Sequence, residues 1–162
     1  MSYPSFLDFE ASSLSNSSYP IEVAWNNAEG RIYSYLIKPH ESWTEWNLES
    51  EKIHGIPRKQ IEAEGLRPVE ICFRMREQIG DTVLYSDAAS FERFWINRLF
   101  EAGEECESPF TISPINNIPK FQQFIGNHVA YDELKNRAQK AIGIEHRAAA
   151  DVEAFMHVYN MA

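Results

Sequence analysis

Apolar and polar positions alternate at the start of the chain, and Ser2 to Phe9 reads as a strand. A serine-rich turn follows from Ala11 to Ser18, then an apolar stretch, Ile21 to Trp25, interrupted only by Glu22 and predicted as a second strand. Asn26 to Gly30 carries the Asn-Asn and Gly signals of a hairpin turn. Arg31 to Lys38 places Ile32, Tyr33, Tyr35, Leu36 and Ile37 in a third strand. Three strands joined by short turns predict an antiparallel meander.

The period then changes. Pro39 to Glu51 is polar and reads as a loop with a short helix, and Ile53 to Pro57 as a turn whose proline suits the first position of a helix. Pro68 to Ile79 carries Val69, Cys72, Phe73 and Met75 at helical spacing, and Pro68 starts it. Thr82 to Tyr85 is a short buried strand. Ser86-Asp87 is placed to cap a helix with Phe91, Phe94, Trp95, Leu99 and Phe100 on one side. Pro109 to Ile112 is a fifth strand, and Asn116 to Ala162 holds two or three helices. A meander, then strand–helix–strand, then helices predicts an α/β fold with helices on the faces of a mixed sheet.

At 162 residues, 44% of them hydrophobic and 13% aromatic, residues 1–162 are expected to form one domain with a full core. The first ten residues lack a basic segment, so no secretory signal is expected, and no apolar run has membrane-spanning length. Cys72 and Cys106 lie far apart with no CxxC. That argues against a disulfide framework or structural zinc, and for a cytoplasmic setting. The net charge of −9 argues against gripping long duplex nucleic acid by phosphate neutralisation. It leaves room for short substrates or strand ends, because bound divalent cations reverse the charge locally at a carboxylate cluster.

Such a cluster is the main chemical signal. Asp8 and Glu10 are two apart, so on a strand they share a face while Leu7 and Phe9 take the other. Two carboxylates held side by side repel unless a cation lies between them, and hard divalent ions favour oxygen ligands. The competing reading is a solvated strand end. His146 and Asp151 are five apart and do not share a helix face. One reading sets Asp151 on a helix as a metal ligand and His146 on the preceding loop as a general base. The other is an exposed histidine and an aspartate that complements the helix dipole. Asp87 and Glu92 compete as the middle carboxylate: Asp87 directly follows a strand and is also a good N-cap, whereas Glu92 sits one turn into the helix. Glu22 is either edge-exposed or held by a partner. His54 reads as a turn or packing residue. Trp43, Trp46 and Trp95 are either core or base-stacking.

Taken together, the motifs resemble those of the DEDDh, or DnaQ-like, 3′–5′ exonuclease superfamily. Phe6-Leu7-Asp8-Phe9-Glu10-Ala11-Ser12-Ser13-Leu14 resembles its first motif, and Pro20-Ile21-Glu22-Val23-Ala24 the strand after it. Ile53-His54-Gly55-Ile56-Pro57 resembles its His-Gly-Ile-Thr turn, Val83 to Trp95 its second motif, and His146 to Asp151 its His-x4-Asp third. The resemblance implies a ribonuclease H-like fold with a mixed five-stranded sheet flanked by helices. It implies two Mg²⁺ or Mn²⁺ ions held by Asp8, Glu10, Asp151 and a second-motif acid, with His146 as general base. It also implies a 3′-terminal nucleotide held by Ala11, Ser12, Ser13 and His54. The expected substrates are single-stranded DNA or RNA 3′ ends and short oligonucleotides, released as nucleoside 5′-monophosphates, with no membrane partner. The oligomeric state is left open, a homodimer included. Two departures stand out. Ala11-Ser12-Ser13 replaces Thr-Thr-Gly, and Asp87 and Glu92 fall where the family has Asn and Asp. The shorter, more rigid Asp87 is favoured as the second-motif ligand. The alternative is a catalytically weakened nucleotide- or nucleic-acid-binding module of the same fold.

Overall fold

The computed structural model describes residues 2–124, 126–142 and 147–162. Strands β1 (Leu7–Ala11), β2 (Pro20–Asn26) and β3 (Ile32–Leu36) form an antiparallel meander in the order β1-β2-β3. The first strand begins five residues later than the sequence suggests. Before it, the Tyr3 N–H donates to Ala28 O (2.9 Å) and the Phe6 N–H to the Asn26 side-chain oxygen (2.8 Å), outside the regular ladder. Helices α1 (Leu48–His54), α2 (Arg58–Glu64) and α3 (Pro68–Gln78) follow. Strand β4 (Val83–Ser86) then leads into α4 (Ala89–Glu104), and β5 (Thr111–Pro114) pairs parallel with β4. Two short 3-10 stretches, α5 (His128–Ile142) and α6 (Ala148–Met161) complete the described chain.

The expected five-stranded sheet is instead a three-stranded and a two-stranded sheet, touching at one parallel bridge between Phe6 and Tyr85. The Tyr85 N–H donates to Ser5 O there (2.9 Å). The ladder stops for a local reason. Strand β4 ends one residue beyond the bridge, and the Phe9 N–H, further along the seam, meets a Glu92 carboxylate oxygen (3.4 Å) instead of a strand carbonyl.

Strand β2 is buried along its whole length, which places it between two cores. Leu7, Phe9, Ile21, Val23 and Trp25 join Ile61, Ile71, Met75, Trp95 and Leu99 on one side. Phe6 and Ala24 join Phe121, Ala148, Val152 and Phe155 on the other. The period of two therefore sends Asp8 and Glu10 to the face that α6 covers. Helices α3 and α4 pack so closely that a Cβ on Gly103 would meet Cys72 Sγ at 2.8 Å and the Pro68 carbonyl carbon at 2.9 Å. In α4 the expected apolar side is split: Trp95, Leu99 and Phe100 are buried, whereas Phe91 and Phe94 are exposed. Among the described residues no helix is long and apolar enough to cross a membrane.

Candidate active site

Carboxylates from both ends of the chain meet on the α6 side of β1. Asp8, Glu10 and Asp151 each place one oxygen within 4.8 Å of the others. Asp8 and Glu10 are alternate residues of β1, and the register shifts between Glu10 and Ala11, where the strand leaves its ladder. Asp151 stands one turn into α6, and the Gln139 amide of α5 donates to its Oδ1 (2.9 Å). Asp8 and Asp151 are nearly inaccessible to solvent, and Glu10 is half-buried.

Burial disfavours the ionised form of each acid, and crowding adds to this. The Asp8 pKa is raised well above the usual carboxylate range, first by burial and then by Glu92, Asp151 and Glu10. Glu10 is pushed up to about 8 by burial and by the charges of Asp151 and Glu22, with Arg147 and Lys135 partly offsetting them. Asp151 is raised by burial, against the pull of Lys135 and the Gln139 hydrogen bond.

Glu92 is a fourth acid here. It reaches from the first turn of α4 and is 1% exposed, with a pKa raised by burial. One of its oxygens meets the Phe9 N–H, while Oε2 is buried without a partner among the described residues, as is Asp8 Oδ2. Two orphaned buried carboxylate oxygens beside a knot of repelling acids constitute an all-oxygen donor set that a hard divalent cation fits. The residues therefore suit the ions that the motifs imply.

The sequence favours Asp87 over Glu92 as the second-motif acid; here Glu92 stands among the buried acids, and Asp87, close enough to add to their repulsion, is engaged elsewhere. Asp87 pairs with Lys135 of α5 and accepts a hydrogen bond from the Tyr131 hydroxyl (3.3 Å). It does not cap α4 either: the residue at that position is Ala88, whose N–H donates to Ser86 Oγ (3.1 Å). Burial opposes the charge on Lys135, but Asp87, Asp151 and Asp8 outweigh it and raise its pKa. His146 lies outside the described residues.

A cleft of about 320 Å³ opens beside the acids. Asp8, Glu10 and Glu92 form its polar floor, and Leu14, Ile53 and Phe91, all exposed, form an apolar rim. Ala11, Ser13 and His54 line it as well, but Ser12 does not. The Ser12 and Ser13 hydroxyls, assigned to the terminal nucleotide in the sequence reading, are both donated to the Glu45 carboxylate, Ser12 at 2.6 Å, and Ser15 joins them at 3.0 Å. The serine turn is thus tied through these hydroxyls to the loop before α1. His54, at the end of α1, accepts the Ile56 N–H on Nδ1 (3.0 Å), and its Nε2 is buried without a partner among the described residues. Burial lowers its pKa, and a neutral ring whose Nδ1 accepts a hydrogen bond carries its proton on Nε2. The tryptophans are structural: Trp43 stacks on Tyr19, Trp46 donates to Glu51 (2.6 Å), and Trp95 donates to Ser18 (3.0 Å).

Sequence reasoning missed Glu45, Gln139 and Lys135. Each acts through a contact more than ten residues away in the chain, and no local pattern marks it. The rim residues Leu14 and Ile53 did carry a signal, being large apolar side chains in otherwise polar turns.

An α/β fold with clustered acids at the edge of its first strand defines the class, and comparison with solved structures gives the fold a closer description. The chain is similar to E. coli exonuclease I in complex with a dT13 oligonucleotide, with a TM-score of 0.65 at 17% identity over 96% of this chain. It is similar to a product-bound exonuclease I at a TM-score of 0.63 and 18% identity over 98% of this chain. A moderately thermophilic exonuclease I from Methylocaldum szegediense gives 0.53 at 16% over 74%. This chain spans 39%, 43% and 29% of those chains, respectively. No family model and no curated protein matches it. The chain therefore has the fold of an exonuclease I segment, in agreement with the DnaQ-like resemblance of its motifs.

Proposed function

We propose that this chain is a divalent-metal-dependent 3′–5′ exonuclease acting on single-stranded ends or short oligonucleotides. The observation that carries the reading is the convergence of Asp8, Glu10 and Asp151 from opposite ends of the chain to within 4.8 Å, with Glu92 Oε2 beside them lacking a partner among the described residues. Similarity to exonuclease I structures, one of which holds an oligonucleotide, supports it. Asp8, Glu10, Asp151 and Glu92 would hold two Mg²⁺ or Mn²⁺ ions. When bound, such ions polarise the phosphoryl oxygen, lower the pKa of the attacking water and stabilise the leaving oxygen.

The chain's own side chains divide the remaining work. Leu14, Ile53 and Phe91 offer apolar surface to the terminal base, where stacking is worth about 1–3 kcal/mol and is tolerant of sequence. His146, from the third motif, is the general base that accepts the proton of the attacking water, a role common for histidine. Lys135, held by Asp87, lies close enough to the acids to offset part of their charge. The product is a nucleoside 5′-monophosphate.

A 5′-labelled single-stranded oligonucleotide incubated with Mn²⁺ tests this reading. Stepwise shortening from the 3′ end, abolished by EDTA and by Asp8→Ala, is the expected result. Intact substrate under the same conditions contradicts it. Such a result, with metal still bound, favours the weakened binding module. The commitment of the Ser12 and Ser13 hydroxyls to Glu45 is the observation that points that way.

A further inference from the structure

Glu22 and Arg147 form a partly buried ion pair against the acidic cluster that none of the proposed steps uses. Glu22 is 3% exposed in the middle of β2 and stands directly opposite Glu10 in the β1–β2 ladder. Residues paired in this way project to the same face with Cβ atoms about 4.5–5.5 Å apart. The Glu22 carboxylate receives Arg147 Nε on both oxygens (3.0 and 3.1 Å) and Arg147 Nη2 on Oε2 (2.6 Å). It also accepts the Ala148 N–H (3.0 Å), at the first residue of α6. The start of the helix that carries Asp151 is thus fastened to the strand beside Glu10.

The pairing has an electrostatic consequence. Arg147 is the cation from the start of α6, and Glu10 is the next carboxylate along from Glu22. A guanidinium binds a carboxylate through two parallel hydrogen bonds, and in doing so covers the oxygens a metal needs and adds a repelling charge. We infer that Glu22 is a positioning residue for the acidic centre: it holds Arg147 off Glu10 and keeps that carboxylate open to a divalent cation. The inference rests on the reading of Asp8, Glu10 and Asp151 as a metal centre. Among the described residues Asp151, Asp8, Glu92 and Lys135 are also charged groups near Glu10, and Lys135 is already paired with Asp87.

Glu22→Gln separates this role from a purely structural one. The glutamine keeps the size of the side chain and an oxygen for the Ala148 N–H, but loses the charge that holds Arg147. Mn²⁺ binding to the Glu22→Gln protein, measured by calorimetry alongside a thermal melt, is expected to be about tenfold weaker or worse, the usual scale for groups that act through a ligand. Adding Arg147→Met to Glu22→Gln is expected to restore most of that affinity, because no guanidinium remains to cover Glu10. A folded Glu22→Gln protein that binds Mn²⁺ like the parent overturns the inference, as does a folded double variant without recovery. A crystal structure of Glu22→Gln supplies a metal-free readout: Arg147 on Glu10 supports the inference, and Arg147 elsewhere overturns it. That readout still decides if the parent binds no Mn²⁺, a result which would instead remove the nuclease reading.

Discussion

Glu10 is the most exposed of the clustered acids, and its pKa makes the cost of assembling the cluster measurable. Raised from 4.5 to about 8, it binds a proton in the folded chain at pH values where the unfolded chain has released it. The stability it contributes is present below about pH 4.5 and is lost as pH rises toward 8. Asp8, Glu92 and Asp151 shift in the same direction. In EDTA, Glu10→Gln is therefore expected to raise the melting temperature relative to the parent at pH 8 and to change it little at pH 4.5. An equal effect at both values would contradict the assigned direction. Two other substitutions separate the acids that competed in the sequence. Glu92→Gln removes a buried oxygen facing the cluster and is expected to lower turnover about 100-fold, while Asp87→Asn should cost less than about tenfold. Single-turnover assays in Mn²⁺ read both, and the reverse order would return the ligand role to Asp87. Asp8 and Glu10 were legible because a strand period of two needs no tertiary information. Glu92 was not, because the partner that engages its competitor Asp87 is Lys135, 48 residues away.

At the scale of elements, the acids depend on how tightly their supports pack. Helix α4 carries Glu92, and its other end closes on α3 at Gly103, where a Cβ would lie 2.8 Å from Cys72 Sγ and 2.9 Å from the Pro68 carbonyl carbon. Gly103→Ala thus requires the two helices to move apart and is expected to cost about 1–3 kcal/mol, the usual range for overpacking, as read by chemical denaturation. A neutral result would show that the contact relaxes freely. The meander was legible from its apolar alternation and α3 from Pro68, although of the expected α3 stripe Cys72 and Met75 are buried and Val69 and Phe73 are exposed. The seam between the two sheets was not: its interruption comes from a Glu92 side chain and the early end of β4, features of tertiary placement. The outward turn of Phe91 was hidden for a related reason. Periodicity places residues on a helix stripe but does not reveal where the neighbouring element stops and a cleft begins.

For the chain as a whole, charge limits how nucleic acid can be held. The net charge is −9, and the described residues that line the cleft include no lysine or arginine. Each phosphate neutralised on a single strand contributes about −0.7 to the slope of log affinity against log salt concentration. Oligonucleotide binding by this chain, measured by anisotropy in Ca²⁺, is accordingly expected to give a slope shallower than about −2. A steep slope would reveal a basic track elsewhere on the surface. The most direct test of the convergence itself is anomalous diffraction from a crystal of this chain soaked in Mn²⁺ and a nucleoside 5′-monophosphate. Manganese peaks bounded by Asp8, Glu10 and Asp151, with Glu92 at their edge and the base against Leu14, Ile53 and Phe91, are the expected result. Manganese found only at other carboxylates, with the Asp8–Glu10–Asp151 cluster free of density, would contradict it.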